Sequence, residues 1–497
     1  MCDIDAAQTP DARKPTNRTN KTQNERLRVP GKCIKCKTAR PNVTIRKSLY
    51  CKPCFVRASV VKFRAALSKS RRRIADKTTP NTLEPAAPRA MVALSGGPCS
   101  SALLQLTLDY HNSMLQKGAA VQSPYLQIIV GHIDESALFD VPNDAVRSVA
   151  GDAVQFRQAH LEDVFAVGEN SGALLEIVAA SIAPGESSDR FRARVLESEH
   201  FSSSSSSSSP REQLHRLFDS LESATNREAL LDAIKMFLLT KLAHASNCSV
   251  LLMGDSATRI ASKIVSLTSR GRGFSLPLEV ASECLWLDGL AVVRPMRDFV
   301  AKEIAFLNRW AGFASVVVPT FTTGAPAHAS IDRLTEAFVV GLDCDFASTV
   351  PTVCRTVQKL EPRPEALAAC SCLVCGLPVD PGSLTWRSRL TVSDAPSSSS
   401  AAAAIDCVPA DHSSSDSSNN GNSDVAVPLL DISTRLCYAC QSVLHFCKSD
   451  GLVLPAFCAE RLADQTDSSA SNNTRGHEDL RKQVEQFLID SDKEDSD

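Results

Sequence analysis

The chain has 497 residues, 43% of them hydrophobic and 22% charged, with a formal net charge of −2, which is room for two to four folded domains. Nothing in it approaches the roughly 18 consecutive apolar residues of a membrane span, and the polar, acidic start MCDIDAAQTP fits neither a secretory signal nor an Arg-rich transit peptide. A cytoplasmic protein with no membrane partner is expected, so its eighteen cysteines point to metal sites before disulfides.

The near-neutral total hides an asymmetry. Residues 11–77 hold 21 Lys or Arg against the three acids Asp11, Glu25 and Asp76, whereas Glu478–Asp497 is net acidic. A basic arm beside a neutral body points to a polyanion partner. Residues 1–30 carry no hydrophobic period and are expected to be a disordered basic arm. Cys33 and Cys36 follow, then fourteen residues, then Cys51 and Cys54. Two C-x-x-C turns at this separation bring four thiolates round one tetrahedral zinc ion. Residues 31–77 therefore read as a zinc ribbon and a basic helix. From Phe55 to Ile74 the apolar positions Phe55, Val56, Val60, Phe63, Ala66 and Leu67 recur at helical spacing and leave a cationic opposite face. Arg40, Arg46, Lys47, Arg57, Lys62, Arg64, Arg71, Arg72 and Arg73 are candidate contacts to RNA phosphates; the competing reading is a solvated face. Thr78–Pro88 contains three prolines and places a linker over residues 78–90.

From Met91 the pattern alternates strand and helix. A short apolar run stops at Ser95-Gly96-Gly97, and a new apolar period begins at Ala102. Adjacent glycines let backbone approach a ligand closely. The N–H groups of the helix start, with the hydroxyls of Ser95, Ser100 and Ser101, would then face a phosphate; an ordinary strand-to-helix turn fits the same residues. Helices are expected over Ala102–Tyr110, Asn226–Ala245, Ala257–Leu267 and Val300–Trp310, and strands over Tyr125–Gly131, Ala153–Ala159, Ser249–Met253 and Leu290–Val293. This is the α/β pattern of a Rossmann-like parallel sheet over residues 91–315, with a Ser-rich insert near 184–210 that includes Ser202–Ser209. Three loops leave its ligand-binding edge: Ser95–Ser101, His132–Glu135 and Gly254–Arg259.

Residues 316–369 read as a connecting region. A Cys-rich module over 370–450 is interrupted by a Ser/Ala/Asn/Asp-rich stretch, 394–424, expected to be disordered, and residues 451–497 form a tail with an acidic end. Cys372, Cys375, Cys437 and Cys440 repeat the two-turn spacing. Because loop closure costs only about 0.6 kcal/mol per doubling of length, they are candidates for a second, split zinc site. Cys370 and Cys447 are spare candidates.

Ser95, Gly96, Gly97, Pro98 and Ser100 resemble the S-G-G-x-D-S pyrophosphate loop (PP-loop) of the N-type ATP pyrophosphatases, which adenylate a substrate carbonyl before a nucleophile displaces AMP. Cys99 stands at the position of the acid. With the double C-x-x-C and the phrases LLMGDSATRIASKIVSLTSRGRGFSLPL and VVRPMRDFVAKEIAFLNR, the chain resembles the cytoplasmic tRNA 2-thiolation protein 2 family. The likeness covers most of residues 30–450 outside the serine insert and the 394–424 stretch. It implies a subunit of a cytosolic tRNA thiolase, acting on the wobble uridine of the lysine, glutamate and glutamine tRNAs. It also implies three partners: tRNA, a homologous catalytic subunit in a heterodimer, and a thiocarboxylated ubiquitin-related modifier that brings sulfur.

No catalytic residue is assigned. The loop lacks its acid, and Gly254-Asp255-Ser256-Ala257 stands where the active thiolases have a His-Asn-Ala-Asp-Asp type sequence. The loop is then either structural or a weak site for ATP with Mg²⁺. Cys99, at a helix start, reads as a lowered-pKa nucleophile or as a filler of a disused site. Asp134 and Glu135 read as metal or ribose ligands or as a solvated strand end. Arg259, Lys263, Arg270, Arg272, Arg294 and Lys302 form a second set of cations for tRNA phosphates, pyrophosphate or solvent. Two other functions stay open: a self-sufficient ATP-dependent tRNA sulfurtransferase, and a zinc-ribbon scaffold with no RNA function.

Overall fold

The computed structural model describes residues 31–78 apart from 46, 88–116, 125–165 apart from 142 and 153, 173–178, 191–197, 209–362 apart from 288, 370–383 apart from 381, 430–445 and 452–463. The N-terminal arm, Arg46, most of the linker, nearly all of the serine tract, the 394–424 stretch, Cys447 and the acidic tail lie outside the described residues. The chain divides into two compact units, Met1–Val61 and Lys62–Asp497.

In the first unit, β1 (Val43–Ile45) and β2 (Ser48–Tyr50) form an antiparallel hairpin that pairs Ile45 with Ser48. Its two-residue loop puts Lys47 at φ +68°, the left-handed value that tight hairpin turns require. A helix, Lys52–Thr78, starts directly after Cys51 with Pro53 in its first turn, where a missing N–H does no harm. Phe55 is buried and meets Tyr50 edge-on at 6.3 Å.

The second unit holds the helix from Lys62 onward and two sheets. Its strands in chain order are β3 (Arg89–Ala93), β4 (Gln127–Asp134), β5 (Gln155–His160), β6 (Ala173–Val178), β7 (Arg192–Glu197), β8 (Val250–Leu252), β9 (Glu283–Leu287), β10 (Leu290–Val293), β11 (Leu430–Asp431) and β12 (Leu452–Leu454). One sheet runs β5-β4-β3-β8-β10-β9. It is parallel except for β9, which pairs antiparallel with β10. The central strands β3, β8 and β10 bury nearly every side chain, as expected of strands with helices on both faces. The expected Rossmann-like α/β fold with a parallel sheet is thus present. Strand order reverses between β3 and β8, so the crevice that binds ligands in such sheets lies between the glycine loop after β3 and the Gly254 loop after β8.

The expected helices and parallel strands are all present, with shifted ends. β4 runs on to Asp134, so most of the loop read at His132–Glu135 is strand. Several features among the described residues escaped the sequence reading. A second, antiparallel sheet has the order β11-β7-β6-β12, and β7 falls inside the region read as a Ser-rich insert. The edge strand β9, the helix Pro210–Ser220 and the two helices Ile331–Asp345 and Thr349–Val357 were also unassigned. The second sheet was hidden because its pairing is non-local, with Leu452 opposite Ile177 and Leu430 opposite Ala193. One core runs from β4 and the helix Ala224–Ala245 into the C-terminal cysteine module through Leu373, Ile432, Leu436, Leu454 and Phe457. A second packs the helix Ala257–Ser269 on Val339, Val350, Cys354 and Val357.

Candidate metal centres and the glycine loop

The hairpin, the turn before it and the start of the long helix bring Cys33, Cys36, Cys51 and Cys54 together, every sulfur within 4.8 Å of the others. Cys36 and Cys51 are 3.8 Å apart, and a tetrahedral ion with metal–sulfur bonds of about 2.3 Å sets its sulfurs at just such a spacing. The four thiols respond to one another. The Thr38 hydroxyl, then the backbone N–H groups of Ala39 and Thr38, bring Cys36 down to about 5, while hydrogen bonding to Cys51 pushes Cys54 up to about 12. Four thiols in contact do not all ionise without a cation, and a dication satisfies all four at once.

Cys372, Cys375, Cys437 and Cys440 form a second group with sulfurs within the same 4.8 Å, Cys375 and Cys437 being 3.7 Å apart. Residues 370–383 and 430–445 meet there as one module. Burial raises the Cys372 thiol, but hydrogen bonds from Cys375, Cys437 and Cys440 outweigh it and hold it well below the usual range. Hydrogen bonding to Cys372 drives Cys437 and Cys440 well above theirs. The donor set is that of a structural metal site with no open position. Cys370 is not part of it; its thiol donates to the Thr434 carbonyl at 3.7 Å. Among the isolated cysteines, Cys248, Cys284, Cys354 and Cys458 are buried and Cys344 is exposed.

The glycine loop is closed on itself. Gly96 has φ +79°, and a Cβ there would stand 2.9 Å from Val146 Cγ2, so only glycine fits. Ser100 Oγ donates to the Gly97 carbonyl at 3.1 Å, accepts from the Ser95 N–H at 3.3 Å and meets Ser95 Oγ at 3.2 Å. Ser101 Oγ donates to the Gly96 carbonyl at 3.1 Å. Of the hydroxyls read as phosphate contacts, those of Ser100 and Ser101 are thus spent on the loop's own backbone and that of Ser95 meets Ser100. Burial pushes the Cys99 thiol up against the opposing influence of Arg259 and Ser256, which favours the filler over the nucleophile.

The flanking loops are likewise paired. Asp134 and Glu135 are buried, where a solvated strand end was one of two readings. Asp134 accepts from the Ser136 N–H at 2.8 Å and from Gln158 at 3.1 Å, and Glu135 pairs with Lys235 at 2.6 Å. Ser256 caps the next helix by accepting from the Arg259 N–H. Burial raises the Asp255 carboxyl, but Arg294 at 3.1 Å, then Lys263 and Arg259, hold it below the usual carboxylate range. Arg272 pairs with Glu279 at 2.9 Å and Arg270 with Asp332 at 3.4 Å. Most of the second cation set is therefore matched to acids, while Arg259 and Lys302 are exposed.

The nine candidate RNA contacts also separate. Arg40, Lys47, Arg57 and Arg72 are exposed and Arg71 is half-buried. Lys62 donates to Glu303 at 2.8 Å and to the Asp298 carbonyl at 2.9 Å, above the ring of Phe299. Arg64 lies over Tyr110, and Arg73 pairs with Glu283 at 2.6 Å. These three pack on the α/β unit.

A family model described as Cytoplasmic tRNA 2-thiolation protein 2 matches residues 330–442. The chain is 31% identical over 382 residues to the cytoplasmic tRNA 2-thiolation protein 2 of Bos taurus, covering 70% of this chain and 72% of the relative. It is 27% identical over 525 residues to that of Mus musculus, covering 94% and 95%. Among solved structures, the U34-tRNA thiolase NcsA from Methanococcus maripaludis with its [4Fe-4S] cluster aligns at 12% identity with a TM-score of 0.42, over 74% of this chain and 99% of that one. No helix among the described residues is long and apolar enough to cross a membrane.

Proposed function

Since the chain belongs to the cytoplasmic tRNA 2-thiolation protein 2 family, with a role in tRNA thiolation in the cytoplasm, we propose that it is the tRNA-holding, non-catalytic subunit of the thiolase. Both cysteine groups hold zinc in this reading, since four thiolates in a closed tetrahedral set suit that ion. Exposed cations of the ribbon and helix, Arg40, Lys47, Arg57 and Arg72, contact tRNA phosphates. A homologous subunit supplies the chemistry in a heterodimer and takes sulfur from a thiocarboxylated ubiquitin-related modifier. There, adenylation of the uridine C2 oxygen turns a poor leaving group into AMP and splits one hard displacement into two easier ones. The target is the wobble uridine of the lysine, glutamate and glutamine tRNAs.

The observation that carries this reading is the closed glycine loop. The hydroxyls of Ser100 and Ser101 bond to its own backbone and that of Ser95 meets Ser100, and a thiol raised by burial stands at the acid's place. The loop then serves the fold, joining β3 to its helix, and binds no ATP with Mg²⁺. The test is to incubate the purified chain with ATP, Mg²⁺, a thiocarboxylated donor and tRNA. Neither AMP nor thiolated tRNA should rise above background until the second subunit is added. Turnover by the chain alone would make it a self-sufficient sulfurtransferase, and failure to bind tRNA would leave a scaffold without RNA function.

A further inference from the structure

Two bonds of 2.8 Å close the turn that carries the first half of the second cysteine group: the Gly376 N–H donates to the Cys372 carbonyl, and the Cys372 N–H to that of Leu377. Leu373 and Val374, the residues between the two cysteines, are buried in the core. Buried carbonyls need donors. Theirs comes from far along the chain, where Arg461 Nη1 donates to the Leu373 and Val374 carbonyls at 3.0 Å each. Arg461 lies in the helical turns that follow β12, in the stretch that reads from sequence as tail.

The guanidinium is itself held in place. It lies 5.0 Å from the ring of Phe457 and 5.4 Å from that of Phe237, and these two rings stack on one another at 4.1 Å. Its Nη2 stands 2.8 Å from the place of a Cβ on Gly376, whose φ is +70°. Glycine directly after Cys375 therefore lets the planar group come up against the turn. The rings fix the guanidinium, and the guanidinium fixes the backbone that sets two of the four sulfurs.

Four thiolates round a dication leave a net negative charge, so a cation beside the set is also favoured electrostatically. Arg272 lies beside Cys375, Cys437 and Cys440 as well, but it is paired with Glu279 at 2.9 Å. Arg461 instead grips the backbone that bears the ligands. We propose that Arg461 is a positioning residue of the second metal centre, holding the Leu373 and Val374 carbonyls so that Cys372 and Cys375 keep their ligating spacing. The role rests on the reading that this cysteine group binds metal, and groups that orient ligands in this way govern how firmly the ion is kept.

The test uses the full chain with serine at Cys33 and Cys51, so that only the second centre holds metal, and compares Arg461→Met with Leu452→Ala in that parent. Leu452 is buried in β12, so its truncation weakens the same segment and leaves both carbonyl bonds in place. Zinc release to excess chelator gives a rate, cobalt(II) loading gives the absorption bands of the thiolate centre, and thermal unfolding reports the fold. Arg461→Met should release zinc about 10- to 100-fold faster than the parent and shift the cobalt bands. Leu452→Ala should lower the unfolding temperature and leave rate and bands unchanged. If Arg461→Met does not fold, Arg461→Lys carries the comparison, because it keeps the charge and gives up the planar group set against the rings; faster release is again expected. Equal rates and bands for the parent and the arginine variant overturn the proposal, as does a Leu452→Ala variant that reproduces both changes. A parent that takes up neither zinc nor cobalt overturns the metal reading itself, and with it the role given to Arg461.

Discussion

A Cβ on Gly254 would stand 3.0 Å from both Cα and the backbone nitrogen of Ser100. The loop after β8 thus lies directly on the first turn of the helix that follows the glycine loop, at the point where strand order reverses. The obstacle is backbone, which cannot swing aside as a side chain can. Gly254→Ala should therefore lower stability by about 1–3 kcal/mol. Gly273, which has nothing within 4 Å and no positive φ, is the control, and Gly273→Ala should leave thermal unfolding unchanged or slightly raised. Equal shifts for the two would show that the loops do not touch.

Each cysteine group should hold its ion independently. Serine at Cys33 and Cys51 together should remove about one metal equivalent per chain, serine at Cys372 and Cys437 another, and all four should leave none, since ligation and folding are coupled. Elemental analysis decides it; metal content unchanged by either double variant would remove that group from the metal sites. The first pair should also unfold the ribbon.

Burial raises the Cys99 thiol, so little of it is thiolate near neutral pH, and thiolate is the reactive form. Brief iodoacetamide treatment near pH 7.5, read by peptide mass spectrometry, should label the exposed Cys344 well before Cys99. Faster labelling of Cys99 would restore it as a nucleophile.

Lys62 is committed to Glu303, the Asp298 carbonyl and the Phe299 ring. Lys62→Met should cost about 1 kcal/mol of stability and leave the salt dependence of tRNA binding as it was. Neutralising Arg57 or Arg72, both exposed, should do the reverse and lower the slope by roughly 0.7 to 0.9 each. A smaller slope for Lys62→Met, with stability intact, would place Lys62 on the RNA.

Burial raises Asp134, but the Ser136 backbone N–H and hydroxyl, Asn143 and His160 outweigh it and hold the carboxyl below its usual range. A carboxyl depressed in the folded state adds stability above its unfolded pKa of about 3.9, and that contribution is lost as pH falls through the folded value. Asp134→Asn should therefore be less stable at pH 7 by about 1–3 kcal/mol, and the two proteins should converge in acid. Urea unfolding at pH 7 and below pH 4 checks this; a constant difference across that range would assign the loss to something other than charge.

Much of this protein is written in local patterns. Buried apolar runs such as Met91–Leu94, separated by amphipathic helices, announce a parallel sheet, because each strand and helix carries its own period whatever it later packs against. The C-x-x-C turns are equally local: each pair preforms half a tetrahedron, so Cys33 with Cys36 and Cys372 with Cys375 could be read before any fold was known. The sequence could not show which distant segments meet. The pairing of β6 with β12 joins residues near 177 to residues near 452, and no period in either strand encodes its partner. Charge was legible as composition, but its use was not. Lys62, Arg64 and Arg73 became packing groups, while Arg270 pairs with Asp332 and keeps two buried nitrogens without an acceptor among the described residues. Whether a cation meets solvent, a carboxylate or an aromatic ring depends on the surfaces that surround it, and those exist only once the chain has closed.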